Sequence, residues 1–190
     1  MAHFSHFDFL APFYDRFIKA YDPTRLIALA QLPVSGLLLD AGGGTGQKAY
    51  PLLKMLTGIV IADSSMGMLS QAVKKGGLIT VCAEIEQLPF KDESFERVIM
   101  VDALHHVSNY RTTAGELWRM VKPGGRILIE EPDIRMMPVK IMAILEKMAL
   151  MRSHFISPGE IAATFNYPNA EVKVDVENTI AWIIIDKQAV

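Results

Sequence analysis

The sequence predicts an α/β fold in which helices cover both faces of a mostly parallel β-sheet and an antiparallel strand pair completes that sheet. Short apolar runs alternate with helical patterns along most of the chain, as strands and crossover helices do in parallel sheets. The first two runs each end on an aspartate, Asp40 and Asp63. Two strand patterns near the carboxyl terminus are separated by the single residue Asn178, so these strands must be antiparallel.

Length and composition indicate one domain spanning residues 1–190. At 51% hydrophobic and 21% charged residues, the chain can bury a single well-packed core. With 19 basic and 21 acidic residues the formal charge is −2, which disfavours a nucleic-acid partner. We therefore expect a small-molecule partner, and an oligomer is compatible with the sequence.

Cysteine content and hydropathy restrict the environment of the protein. The single Cys82 cannot form an internal disulfide, which suits a cytoplasmic location, and no His/Cys cluster offers a metal site. No uncharged run approaches the ~18 residues that a membrane-spanning helix requires. We expect no bound metal and no stable membrane insertion.

The first 22 residues are rich in aromatic side chains. Their apolar members recur at helical spacing, which predicts an amphipathic helix with one aromatic face: Leu10, Phe13, Tyr14, Phe17, Ile18 and Tyr21. That face either packs on the core or covers a ligand site, and both can hold at once. A second helix is predicted from Thr24 to about Gln31, after Asp22 as its N-cap and Pro23 at its first position.

A glycine-rich turn follows the first predicted strand, Leu37 to Asp40. Glycine occupies four of the five positions in residues 42–46. Glycine tolerates positive φ and lets a ligand lie directly on the backbone. The looser pattern Gly44-x-Gly46-x-x-Ala49 also permits a dinucleotide-binding turn, although a carboxylate such as Asp40 would repel a pyrophosphate.

The remaining elements follow from local signals. Pro51 is expected to delay or kink the helix from Gln47 to Leu56, and Ser64 or Ser65 can cap the next helix. The elements after that first helix are a strand at Gly58–Asp63, a helix to Lys75, strands at Leu78–Cys82 and Arg97–Val101, a helix at about Tyr110–Val121, a turn at Lys122–Gly125, a strand at Arg126–Glu130, a Met-rich helix from Pro138 to about Arg152, a helix from the Ser157 capping box to about Phe165, and strands at Glu171–Glu177 and Thr179–Asp186.

Several motifs occur in an order that resembles the class I S-adenosylmethionine-dependent methyltransferases, of the type similar to ubiquinone and menaquinone biosynthesis C-methyltransferases. They are the glycine loop after Asp40, Asp63-Ser64-Ser65-Met66-Gly67-Met68-Leu69, Ala83-Glu84-Ile85-Glu86-Gln87-Leu88-Pro89-Phe90, Asp102-Ala103-Leu104-His105-His106-Val107 and the Leu117–Gly125 turn. The resemblance implies a Rossmann-like, doubly wound, seven-stranded sheet in the order 3-2-1-4-5-7-6. It also implies S-adenosyl-L-methionine as the cofactor.

The resemblance implies a binding role for each matched residue. Asp63 would accept hydrogen bonds from the ribose hydroxyls, and Glu84, which replaces an aspartate of the family, would meet the adenine amino group beside the N–H of Ile85. Asp102 and the histidines would lie by the methionine part of the cofactor. The complete expected cofactor-binding set is Asp40, Gly42, Gly44, Gly46, Asp63, Ser64, Glu84, Ile85 and Asp102.

Two residues are candidate catalytic groups. His105 could orient a substrate or accept its proton. The segment Ala11-Pro12-Phe13-Tyr14-Asp15 resembles an A-x-x-Y-D pattern of the same group, which implies that residues 1–33 form a lid over a cofactor-binding core of residues 34–190. Tyr14 would then present its hydroxyl to the cofactor or acceptor.

The sequence therefore predicts methyl transfer from S-adenosylmethionine to a small acceptor that is more apolar than charged. Methyl transfer from a sulfonium needs few catalytic residues, because alignment of the reacting atoms supplies much of the acceleration. Two alternatives stay open. One is a non-catalytic S-adenosylmethionine-binding or regulatory subunit, and the other is a nucleotide-dependent oxidoreductase.

Overall fold

The computed structural model describes residue 11, residues 21–148 and residues 153–189. The predicted aromatic helix of the N-terminal segment, including Tyr14, lies outside the described residues. So does the end of the predicted Met-rich helix beyond residue 148.

One mixed β-sheet forms the centre of the molecule. Its strands are β1 (Leu37–Ala41), β2 (Gly58–Asp63), β3 (Leu78–Cys82), β4 (Phe95–Val101), β5 (Val121–Pro132), β6 (Ala170–Glu177) and β7 (Ile180–Lys187). They form a 7-stranded sheet in the order β3-β2-β1-β4-β5-β7-β6. The first five strands are parallel, and β7 runs antiparallel to both β5 and β6. The predicted strand order and C-terminal hairpin are confirmed.

Helices cover the sheet and connect its parallel strands, except between β3 and β4, where residues 83–94 form a loop. The helices are α1 (Thr24–Leu29), α2 (Met66–Lys75), α3 (Tyr110–Met120), α4 (Met137–Met148) and α5 (Pro158–Ala163), with 3₁₀ helices at Tyr50–Met55 and Leu104–His106. Ser65 caps α2 by accepting from the N–H of Met68. Ser157 and Glu160 form the predicted capping box at the start of α5. Local capping chemistry thus determines where these helices begin.

The N-cap of α1 is Pro23 rather than the expected Asp22, although Asp22 Oδ1 accepts from the N–H of Thr24 at 3.0 Å. Two further segments differ from the sequence expectations. The predicted helix from Gln47 to Leu56 is a 3₁₀ helix over Tyr50–Met55, because Pro51 has no N–H to donate and fits only the first turn. The predicted turn at Lys122–Gly125 belongs to β5. There the β4–β5 register shifts between Phe95 and Arg97, so this part of the strand is irregular.

The core has two layers, one on each face of the sheet. Alternate residues of each strand point to opposite faces, so Leu39 and Val98 pack in one layer and Leu38 and Ile99 in the other. The first layer includes side chains of α3 and α5, and the second includes those of α1 and α2. Coverage on both faces explains why the central strands are continuous apolar runs.

Two arginines hold α1 against the sheet. The Nε of Arg97 donates to the carbonyl oxygen of Ala30 at 2.6 Å, and the Nη1 of Arg126 donates to that of Leu29 at 2.6 Å. Arg126 also pairs with Asp186 of β7 at 2.6 Å. These bonds satisfy carbonyl groups that a helix end leaves without partners. They also hold α1 in the orientation that places Tyr21, which precedes it, near the carboxyl edge of the sheet.

Within the described ranges, no helix combines the length and the apolar composition needed to cross a bilayer.

Candidate active site

A cavity of about 230 Å³ opens at the carboxyl ends of β1, β2 and β4. This edge, beside the point where strand order reverses, is where open α/β sheets bind ligands. The loops after β1, β2, β3 and β4 build its walls. The lining residues are Asp40, Gly42, Gly43, Gly44, Thr45, Gln47, Lys48, Asp63, Ser64, Met68, Glu84, Ile85, Glu86, Met100, Val101, Asp102, Ala103, His106, Val107 and Ser108.

The structure brings most of the predicted site residues together in this cavity. Those that line it are Asp40, Gly42, Gly44, Asp63, Ser64, Glu84, Ile85 and Asp102. Gly46 and His105 are not among the lining residues, and Tyr14 lies outside the described residues. The binding and catalytic roles assigned to all of these residues stay predictions.

The glycine loop is held against the end of β2 by Asp63. Its two carboxylate oxygens accept from the N–H groups of Gly44 at 2.9 Å and Ser65 at 2.8 Å. Gly42 has φ +73°, and a Cβ there would lie 2.7 Å from the Cβ of Ala103. Gly46 has φ +71°, and a Cβ added there would lie 2.6 Å from the side chain of Leu78. The loop therefore needs Gly42 to approach the β4 loop, and Gly46 to pack on β3.

Asp40 is a buried carboxylate at the base of the cavity. It is 1% exposed, and its Oδ2 has no hydrogen-bond partner among the described residues. Burial, followed by the charge of Asp63, raises the pKa of Asp40 to about 7, against the opposing effect of Lys48. A cationic ligand group would supply both the missing hydrogen bond and the charge that favours the ionised form.

A cation, an aromatic ring and a second acid lie next to Asp40. The Nζ of Lys48 lies 3.7 Å from the centre of the Tyr21 ring. The Tyr21 hydroxyl donates to Glu130 Oε2 at 2.8 Å. Burial, then the Glu130 charge, raises the pKa of this hydroxyl above its usual range, so Tyr21 stays protonated and donates. Sequence reasoning missed this group, since its members come from three distant segments.

Further acids lie on the loops that follow β3 and β4. Glu84 and Asp102 are exposed and line the cavity. Glu86 joins the two loops, because its Oε1 accepts from the N–H of Ser108 at 2.8 Å and of Asn109 at 3.2 Å. Sequence reasoning did not assign Glu86 a role. The bond holds the two loops of this wall of the cavity together.

The two histidines have different environments. His105 is 4% exposed, and its Nδ1 lies 2.6 Å from Glu131 Oε2. The other oxygen of Glu131 accepts from the N–H groups of Ala103 and Leu104 at 2.9 and 2.6 Å. Glu131 thus fixes both His105 and the backbone that turns from β4 into the cavity wall.

His106, rather than His105, reaches the cavity surface. Burial, followed by the charge of His105, lowers the pKa of His106 to about 3. His106 is therefore neutral near pH 7, and its Nδ1 lies 3.3 Å from the Oγ of Ser153. The paired histidines in the sequence do not reveal which of them faces the ligand, because a 3₁₀ helix at Leu104–His106 sets their directions.

Comparisons with known proteins agree with this architecture. The family model described as a methyltransferase domain matches residues 39–129. The demethylmenaquinone methyltransferase of Streptomyces avermitilis is 35% identical over 95 residues, covering 50% of this chain and 41% of the relative. That of Clavibacter sepedonicus is 30% identical over 170 residues, covering 84% of this chain and 67% of the relative.

The first of these relatives is much longer than the part that this chain matches, since the alignment spans 41% of its length. Among solved structures, the YcgJ protein of Bacillus subtilis superposes with a TM-score of 0.73 at 22% identity, covering 81% of this chain and 70% of that one. That likeness concerns the fold. Motifs, strand order and relatives agree, and the chain belongs to the class I S-adenosylmethionine-dependent methyltransferases, resembling those of quinone biosynthesis.

Proposed function

We propose that the protein transfers a methyl group from S-adenosylmethionine to a small apolar acceptor of the quinol type. The observation that carries this proposal is Asp40, a buried carboxylate whose unpaired oxygen lies at the base of a cavity on the carboxyl edge of the sheet. A pyrophosphate is repelled by such a group, whereas an ammonium or sulfonium is attracted. Asp40 therefore favours this cofactor over a nicotinamide dinucleotide.

The residues of the cavity fit the parts of the proposed cofactor. Asp40 would face its cationic amino-acid end, and Asp63, whose carboxylate oxygens are hydrogen-bond acceptors, would face the ribose hydroxyls. Ile85 and Glu84 would meet the adenine. Ser64 would add a hydroxyl beside the ribose, and Asp102 would lie near the methionine part.

The chemistry needs positioning more than acid–base catalysis. When bound, S-adenosylmethionine supplies a methyl group on a positively charged sulfur, and S-adenosylhomocysteine is left after the transfer. The chain's own contribution is to orient the acceptor and to exclude water. His106 can contact an acceptor from the cavity wall, while catalytic roles for His105 and Tyr14 stay predictions.

The acceptor class follows from the relatives and from the apolar part of the cavity. The curated relatives are named for a demethylated menaquinone. Here Met100 and Val107 give the cavity an apolar wall. Outside the cavity lining, α4, which follows the carboxyl end of β5, has an exposed apolar face. The exposed free thiol of Cys82 is compatible with a reducing cytoplasm, which is the proposed location.

A combined binding and turnover experiment tests the proposal. Purified protein is titrated calorimetrically with S-adenosylmethionine, S-adenosylhomocysteine, NAD and NADP. It is then assayed with demethylmenaquinol, phenol, amine and thiol acceptors, with release of S-adenosylhomocysteine as the readout. We expect binding of the first two ligands and turnover with the quinol. Binding of NAD or NADP alone would overturn the assignment, and binding without any turnover would favour a non-catalytic subunit.

Asp63→Ala is the site control in the same experiment. Hydrogen bonds to a charged group contribute about 1.5–3 kcal/mol, so we expect S-adenosylhomocysteine affinity to fall by that amount. Asp63 also accepts from Gly44 and Ser65. Thermal melting of the variant therefore accompanies the titration. Loss of folding rather than of binding would assign Asp63 a purely structural role.

A further inference from the structure

The cavity contains one cation among many acids. Five of the described lining residues are carboxylic acids: Asp40, Asp63, Glu84, Glu86 and Asp102. Lys48 is the only lysine or arginine among the lining residues within the described ranges. The charge of Lys48 would repel a ligand that carries only positive charge. Lys48 therefore favours a ligand with a negatively charged group.

The ammonium group of Lys48 has unused hydrogen-bond donors. An ammonium carries three N–H donors. Lys48 makes no hydrogen bond or ion pair with any residue of the described ranges, and its Nζ lies over the face of the Tyr21 ring, 3.7 Å from the ring centre. A half-buried cation with free donors is ready to pair with an acceptor from the ligand.

Lys48 lies at the same end of the cavity as Asp40. Its charge lowers the pKa of both Asp40 and Glu130, so it is near both, yet it forms no salt bridge with either. Asp40 in turn has an unpaired Oδ2. One end of the cavity therefore presents an unpaired acceptor and an unpaired donor of opposite charge, the complement of an amino-acid zwitterion.

We propose that Lys48 binds the carboxylate of the amino-acid part of S-adenosylmethionine, while Asp40 faces its ammonium group. The proposal rests on the function proposed above and adds a residue that determines how the cofactor is held. The competing role for Lys48 is to neutralise Asp40 and Glu130 in the empty protein. In that role Lys48 would change the affinity for the ligand's ammonium group, by changing the charge of the two acids, and would make no contact with the ligand's carboxylate.

Three adenosine ligands separate the two roles. S-adenosylhomocysteine carries amine and carboxylate, 5′-deoxy-5′-(3-aminopropylthio)adenosine carries the amine alone, and 5′-methylthioadenosine carries neither. Each is titrated calorimetrically into wild-type protein, Lys48→Met and Lys48→Arg. Lys54→Met is the matched control, since Lys54 lies in the following 3₁₀ helix, is exposed and does not line the cavity.

We expect Lys48→Met to weaken S-adenosylhomocysteine about 10- to 100-fold, the range for a hydrogen bond to a charged group. The other two ligands should change less than about twofold, and Lys54→Met should stay near wild type. Lys48→Arg keeps the positive charge and should bind S-adenosylhomocysteine more tightly than Lys48→Met does. Equal weakening of the two amine-bearing ligands, or no weakening, overturns the proposal. Thermal melting checks each variant, and Lys48→Gln replaces Lys48→Met if the latter fails to fold. Wild-type protein that binds none of the three ligands overturns the proposed function itself.

Discussion

The buried carboxylate of Asp40 makes stability depend on pH. Its pKa is raised to about 7 in the folded protein from a usual value of 3.8. Between these values the folded state binds more protons than the unfolded state, so stability is greatest at low pH in this window and falls as pH rises towards 7. At about 1.4 kcal/mol per pKa unit, Asp40 contributes a few kcal/mol to this change.

The Asp40→Asn variant tests that dependence. Asparagine has nearly the same shape and does not ionise, so we expect its ligand-free form to gain stability relative to wild type as pH rises from 4 to 8. The measurement is the unfolding free energy of both proteins by denaturant titration across that range. Parallel pH profiles would mean that Asp40 ionises as readily in the folded protein as in the unfolded chain.

Asp40 should make ligand affinity depend on pH in the opposite direction from stability. A cationic group prefers ionised Asp40, so S-adenosylhomocysteine affinity should rise with pH between 6 and 8 in wild type and stay flat in Asp40→Asn. Calorimetry at several pH values in two buffers of different ionisation enthalpy measures both affinity and proton release. Binding without proton release at pH 6 would contradict the expected ionisation.

The histidine pair gives a second prediction at the residue scale. If His105 orients the acceptor or takes its proton, His105→Asn should lower kcat by about 100-fold or more, the contribution typical of acid–base groups. Cofactor affinity should stay nearly unchanged, because His105 does not line the cavity. Steady-state kinetics and calorimetry measure the two quantities. His106→Asn is the comparison, and normal turnover of His105→Asn would make His105 a bystander.

At the scale of elements, α4 has an apolar face that the described structure leaves in solvent. Met137, Ile141, Ile144 and Leu145 are 65%, 54%, 60% and 59% exposed. Their spacing places them on one side of the helix, and Val139, which is buried, faces the other way. α4 follows β5, whose carboxyl end lies at the same edge of the sheet as the cavity, so we predict that this face receives an apolar acceptor.

The double substitution Ile141→Ser with Ile144→Ser tests that role. We expect the KM of the apolar acceptor to rise by about tenfold or more with kcat and cofactor affinity unchanged, since full burial of even one such side chain contributes about 1.5–3 kcal/mol and 1.4 kcal/mol is a factor of ten. The matched control is Val174→Ser with Val176→Ser, exposed apolar residues on the edge strand β6. An unchanged KM, or the same rise in the control, would remove α4 from the acceptor site.

At the scale of the whole molecule, deletion of the N-terminal segment tests whether the core folds stably without residues 1–20. All seven strands of the sheet lie between Leu37 and Lys187, whereas Ala11, the one described residue of the first 20, is buried. If the segment is a lid, deletion of residues 1–20 should abolish methyl transfer while the melting temperature falls little. Loss of stability together with activity would make the segment chiefly core packing. Unchanged activity would contradict a lid.

The sequence by itself determined the order of strands and helices and the edge that carries the site. Apolar runs, glycines and caps are local signals, and Asp40 and Asp63 each stand at the end of such a run. Because parallel strands end at one edge of the sheet, those two acids had to meet there. The 3₁₀ helix after the glycine loop and the irregular start of β5 depend on backbone geometry that side-chain periodicity does not encode.

Only the tertiary structure decided which polar groups face the cavity and in what electrostatic state. Tyr21, Lys48 and Glu130 are distant in sequence, and their contact requires α1, the glycine loop and β5 to converge. The turn after β4 likewise directs His106, rather than His105, to the surface. Burial raises the pKa of Asp40 and lowers that of His106. The physical reason is that desolvation and long-range charge pairing depend on the packed arrangement, whereas periodicity and capping depend on near neighbours in the chain.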